Sequence, residues 1–118
     1  MPVELTATEA LSLWQRVTLE QVRREGPDLS LRQQAILLQV YLVPPPHTVR
    51  GLAAVLGVSK PVITRALDTM GELSLVDRVR DEKDRRNVVV KRTVAGALYL
   101  EQLADLIRME GRHEPGMT

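Results

Sequence analysis

The chain has 118 residues, 44% hydrophobic and 26% charged, the make-up of one globular domain and not of a low-complexity polymer. It carries no Cys, which excludes disulfides and thiolate metal sites. The formal net charge is only +1, yet residues 48–92 hold ten basic and six acidic side chains, so positive charge gathers mid-chain where a polyanion would dock.

In chain order, Thr6 and Glu9 have the spacing of a capping box, a hydroxyl at the helix entry answered by a carboxylate three residues on. They open a helix over 6–25, with Leu11, Trp14, Val17 and Val22 near helical spacing. Gly26-Pro27 is expected to stop it. Ser30 and Gln33 form a second capping box and open a helix over 31–43, which Pro44-Pro45-Pro46 ends. The first residues lack a basic patch followed by an apolar run, and no apolar run nears the ~20 residues that span a bilayer. The chain therefore reads as cytoplasmic.

Residues 48–72 predict two short helices with a tight turn between them. Thr48 caps the first, with Leu52, Ala53 and Leu56 facing inward, and Gly57 breaks it. Ser59 caps the second, where Pro61 is acceptable in the first turn. Small Ala53, four residues before Gly57, permits close packing of the pair, and Val58 and Ile63 supply buried apolar groups. This is the helix-turn-helix outline.

After Leu73 the hydrophobic period changes from 3.6 to 2. Leu75 to Arg80 and Asn87 to Arg92 predict two strands, and the six charged residues Asp81 to Arg86 between them predict a hairpin tip, giving a wing over 75–92. Thr93 caps a last helix over 94–110, and residues 112–118 are expected to form a flexible tail. The fold class is mainly α with a small β-hairpin, a winged helix-turn-helix, organised as a single domain over 1–111.

The residues Leu52-Ala53, Leu56-Gly57-Val58-Ser59, Val62 to Asp68, Leu75-Val76-Asp77-Arg78 and Asp81 to Arg86, with Thr93 opening the last helix, resemble the MarR (multiple-antibiotic-resistance regulator) family of bacterial regulators. The resemblance covers just over a third of the chain closely. It implies a DNA-binding transcriptional regulator, not an enzyme, with the second short helix in the major groove. It also implies a wing that reaches the minor groove through an Arg, held in place by an Asp. Two departures stand out. Ser74 occupies a site where the family has Gly, and the helical region after Thr93 is shorter than the one that builds the family's dimer.

Helix geometry places Ser59, Lys60, Pro61, Thr64 and Arg65 on the first turn and a half of the recognition helix, the part that meets base edges and phosphates. Ser59 and Lys60 suit phosphate oxygens. Thr64 and Arg65 suit bases, Arg because its fork matches guanine O6 and N7. The wing tip carries Lys83, Arg85 and Arg86 beside Asp81, Glu82 and Asp84. Arg85 or Arg86 is the expected inserted residue, with Asp81 or Asp84 orienting it. Arg78, Arg80, Lys91 and Arg92 on the strands are weaker phosphate contacts.

His47 and His113 lack neighbours at metal-ligand spacing, and no Ser-His-Asp set or phosphate loop is present, so no cofactor and no metal are expected. Tyr99, Leu100, Leu103, Leu106 and Ile107 of the last helix surround more of its circumference than one partner face needs, which predicts a homodimer through the terminal helices. A small-molecule effector stays unassigned, because Trp14, Tyr41 and Tyr99 are the only rings. Two rival readings use the same elements: a nucleoid-associated protein of little sequence preference, and a winged-helix module that docks on protein. The basic wing speaks against the second.

Overall fold

The computed structural model describes residues 4–112. Its elements run α1 (Ala7–Arg23), α2 (Leu31–Leu42), β1 (His47–Thr48), α3 (Val49–Leu56), α4 (Lys60–Glu72), β2 (Val76–Arg80), β3 (Val88–Arg92) and α5 (Val94–Gly111). The mainly helical winged-helix class expected from the sequence is the class observed.

Local chemistry explains most element starts. Thr6 and Glu9 make a reciprocal capping box at α1, and Ser30 and Gln33 make another at α2. The Thr48 hydroxyl accepts from the Gly51 amide at 2.9 Å, and Thr93 accepts from the Gly96 amide at 3.0 Å. Ser59 differs from expectation. It occupies the N-cap position of α4, but its hydroxyl makes no cap hydrogen bond. Pro61 has no amide hydrogen to offer, and the Val62 amide turns to the Ser59 carbonyl at 3.1 Å.

Two further boundaries differ. α1 ends at Arg23, with Arg24 already extended at ψ 146°, so the Gly26-Pro27 stop lies beyond the true end. A third strand, β1, joins the wing, and the sheet order is β1-β3-β2, antiparallel throughout. His47 pairs with Val90 and Thr48 with Val89, while β2 and β3 pair from Val76–Arg92 to Arg80–Val88. Two residues directly after Pro46 are too few to show a period in the sequence. The predicted tail lies mostly outside the described residues.

The described chain forms two compact units. In one, residues 29–100, the buried core comprises Ile36, Leu37 and Val40 of α2, Leu52 and Ala53 of α3, Ile63, Ala66, Leu67 and Met70 of α4, and Leu75, Val76 and Val90 near or in the sheet. The spacing 63, 66, 67, 70 is one face of a helix, which leaves 60, 61, 64, 65 and 68 exposed. Tyr41 pins the unit together. Its hydroxyl accepts from the Thr93 amide at 2.7 Å and donates to the Thr93 carbonyl at 2.6 Å, tying α2 to the start of α5.

In the other unit, α1 lies antiparallel to the later turns of α5. Arg16 pairs with Glu110 at 3.1 Å, and beyond the end of α1, Arg24 donates to the Gln102 carbonyl at 3.4 Å. Val17, Leu103 and Leu106 are its buried apolar residues. No helix among the described residues is long and apolar enough to cross a membrane.

Candidate nucleic-acid interface

The helix-turn-helix is built by its turn. Gly57 adopts the left-handed conformation, φ 69° and ψ 35°, and the Val58 amide donates back to the Ala53 carbonyl at 3.0 Å. A side chain at 57 would have to be held at that positive φ. The reversal sends α4 off with its apolar face inward and its polar residues outward. Ser59, Lys60, Pro61, Thr64 and Arg65 are all exposed. Among the described residues, Lys60 and Arg65 have no ion-pair partner, and the Ser59 hydroxyl is not used on the helix.

The wing is built by pairing and by its tip. Asp81 and Asn87 close the turn, with the Asp81 amide donating to the Asn87 carbonyl at 3.0 Å. Asp84 holds Arg86: the Arg86 Nε lies 3.1 Å from Asp84 Oδ1, Nη2 lies 3.4 Å from Oδ2, and the Arg86 amide donates to Oδ1 at 3.2 Å. The Arg86 side chain stays 86% exposed. These contacts hold the Asp84 carboxyl below its ordinary value of 3.8, first through the Arg86 side chain, then through its amide, with a further pull from the nearby charge of Arg50. Asp81 does something else. Its carboxylate accepts from the Lys83 amide at 2.9 Å and shapes the turn, and no ion pair joins it to an arginine among the described residues.

The remaining basic residues divide by partner. Arg78 on β2 bridges to Asp68 of α4 at 2.8 Å, tying the wing to that helix. Arg80 donates to the Arg85 carbonyl at 2.8 Å and braces the base of the tip. Arg85 and Lys83 are exposed at the tip, and Lys91 is exposed on β3. Arg92, expected as a weak phosphate contact, is engaged internally. Its Nε donates to the Val40 carbonyl at 2.9 Å, its Nη2 to the Val43 carbonyl at 3.4 Å, and its guanidinium lies 5.8 Å from the Tyr41 ring centre. It satisfies the last carbonyls of α2, a role for which the local sequence carries no signal. Sequence reasoning also passes over Arg50, whose position just after the Thr48 cap is the available clue.

The residues expected to meet a second copy lie differently along α5. Tyr99 and Leu100 are half-buried against the core of residues 29–100, and Ile107 is half-buried. Leu103 and Leu106 are buried within their own unit, 8% and 2% exposed. The apolar side chains left in solvent include Leu11, Trp14 and Val22 on α1 and Val94, Leu98 and Met109 on α5.

His47 is buried, with its Nε2 2.8 Å from the Val43 carbonyl, so its polar atom serves the connector between α2 and β1. His113 lies outside the described residues, among which no group of acidic, His or Cys side chains could hold a metal ion.

Residues 28–87 match the model of the MarR family. Solved structures agree on the fold. A mutant of MepR from S. aureus superposes with a TM-score of 0.72 at 19% identity, covering 93% of this chain and 82% of that one. The S. aureus MepR–DNA complex gives 0.66 at 20% identity, covering 85% and 77%. The transcriptional regulator BldR from Sulfolobus solfataricus gives 0.61 at 28% identity, covering 89% and 81%. No curated protein matches the chain.

Proposed function

Because the chain belongs to the MarR family of transcriptional regulators, we propose that it binds double-stranded DNA sequence-specifically in the cytoplasm, with α4 in the major groove and a wing arginine in the minor groove. The observation that carries this is the exposure, in one unit, of two cationic elements. Lys60, Thr64 and Arg65 stand on the solvent face of α4, and Arg86 projects from a hairpin that the Arg78–Asp68 bridge ties to that helix. A neighbour of the same fold has been solved on DNA. An α-helix fits the major groove, and a narrow minor groove attracts a guanidinium.

In this reading Ser59, Lys60 and Pro61 approach the backbone, Thr64 and Arg65 read bases, and Arg86 enters the minor groove with Asp84 as its orienter. Arg85 and Lys83 add phosphate contacts. Arg80 supports the tip, and Arg78 acts mainly by fixing the wing against α4. A carboxylate can aim a guanidinium without cancelling its field, since the Arg86 fork keeps free donors beyond Asp84.

The protein acts as a two-fold homodimer through its terminal helices. Exposed Leu11, Trp14 and Val22 on α1, with Leu98 and Met109 on α5, support this arrangement. A dimer presents paired recognition helices, so the operator is a pseudo-palindrome with half-sites about one helical turn apart.

A gel-shift titration with the protein's own promoter and with random DNA, at two salt concentrations, tests the reading. Tighter binding to the promoter and steep weakening with salt are expected. Equal affinity for both duplexes favours a sequence-tolerant nucleoid protein, and absence of binding at low salt favours a protein-docking module.

A further inference from the structure

A third cationic element lies beside α4. Ser30, Arg32 and Gln33 of the α2 entry and Val62, Arg65 and Ala66 of α4 line a groove of about 220 Å³. Val62 and Ala66 are one turn apart and supply an apolar floor, while Arg32 and Arg65 come from different helices. Both arginines are exposed, and among the described residues neither has an ion-pair partner. None of the six lining residues is acidic.

The polar side chains lining this groove all keep free donors. The Gln33 Oε1 accepts from the Ser30 amide at 2.8 Å, which leaves its Nε2 hydrogens free. The Ser30 Oγ accepts from the Gln33 amide at 3.1 Å, which leaves its hydroxyl hydrogen free. Two arginines lining one small groove give it like charge with no carboxylate to offset it, which favours an anion there, and the free donors of Ser30 and Gln33 suit the same anion. The capping box thus has a second consequence: it engages the Gln33 oxygen and leaves the amide hydrogens as the unused end of that side chain.

We propose that Arg32, with the Gln33 amide, is a clamp for a backbone phosphate of the duplex that Arg65 reads. The proposal rests on the DNA-binding reading. The phosphate belongs to DNA because one wall of the groove is the recognition helix itself. A helix seated in the major groove has phosphates along both rims, within reach of whatever packs beside it. Arg32 therefore contributes affinity and register on the duplex, and no base preference.

Fluorescence anisotropy on labelled own-promoter and random duplexes, across a NaCl series, separates the possibilities. Arg32→Gln is expected to weaken binding to both duplexes by the same factor, roughly three- to tenfold, with a log–log salt slope shallower by about 0.9 for each phosphate that Arg32 neutralises. Arg32→Lys, which keeps the point charge but not the fork, should restore the slope and only part of the affinity. Thermal melting of both variants should match the wild type. An unchanged slope and affinity in Arg32→Gln, alongside steep salt dependence of the wild type, overturns the clamp and leaves the DNA reading standing. Weakening confined to the promoter duplex also overturns it, by making Arg32 a base reader. Wild-type binding indifferent to salt removes both.

Discussion

Ser74 holds φ at 60°, a left-handed conformation that costs a side chain roughly 1 kcal/mol relative to Gly. Its amide donates to the Gly71 carbonyl and its carbonyl accepts from the Thr93 hydroxyl, so the surrounding bonds hold the residue there and need no side chain at 74. Ser74→Gly should raise the melting temperature by a few degrees. An unchanged or lower value would show that the unfolded-state entropy of Gly outweighs the relief of strain. Asp84 is open to a different measurement. Its carboxyl is depressed in the folded protein, so the clasp on Arg86 is complete above 3.8 and is lost as pH falls through the lower folded value. An NMR titration of the Asp84 carboxyl should give a midpoint below 3.8 that rises in Arg86→Ala, which removes the side-chain bonds but keeps the amide at position 86. A midpoint at or above 3.8 in the wild type would mean the clasp does not persist in solution. From the sequence, Asp81 or Asp84 could pair with Arg85 or Arg86. The choice depends on where the turn backbone aims each side chain, and spacing alone does not give that.

Elements that start with a local signal were legible, because a capping box or a Thr cap needs only residues three apart. α4 and the wing were legible because each carries its own hydrophobic period, although the Ser59 cap bond expected at α4 is not made. What stayed hidden is bonding between elements far apart in sequence: Arg92 on the α2 carbonyls, Arg78 on Asp68, Tyr41 on Thr93. Around Tyr41, packing reverses the sign that helix propensity would give. Gly96 lies in the first turn of α5, where Ala normally favours a helix by about 1 kcal/mol. A Cβ there would run into the Leu75 carbonyl oxygen and the Tyr41 hydroxyl, and would come within 2.9 Å of Tyr41 Cζ. Gly96→Ala should therefore destabilise the protein, by about 2 kcal/mol or more, through displacement of the Tyr41–Thr93 bonds. Denaturant unfolding measures it, and a gain in stability would contradict the packing described. Asp68→Asn should behave differently. The Arg78 bridge is largely exposed, so stability should change by less than about 1 kcal/mol, while DNA affinity falls because the wing loses its tether. Equal affinity in Asp68→Asn and wild type would show that the bridge does not position the wing.

For the molecule as a whole, the apolar excess on the last helix was visible in the sequence, but not which of those residues the chain would bury itself. Leu103 and Leu106 are buried in the single chain, and Leu11, Trp14, Val22, Leu98 and Met109 are left exposed. Sedimentation equilibrium should report twice the chain mass, and Leu98→Asp combined with Val22→Asp should shift it to the monomer without loss of helical signal. A monomeric wild type at micromolar concentration would remove the two-fold operator geometry. The proposed function requires one duplex to be held in both grooves at once, by Arg65 in the major and Arg86 in the minor. Dimethyl sulfate footprinting reads these separately, since it methylates guanine N7 in the major groove and adenine N3 in the minor. Wild type should protect guanines at the half-site and adenines flanking it, Arg65→Ala should lose only the guanine protection, and Arg86→Ala only the adenine protection. Protection patterns that neither substitution alters would contradict the two-groove grip.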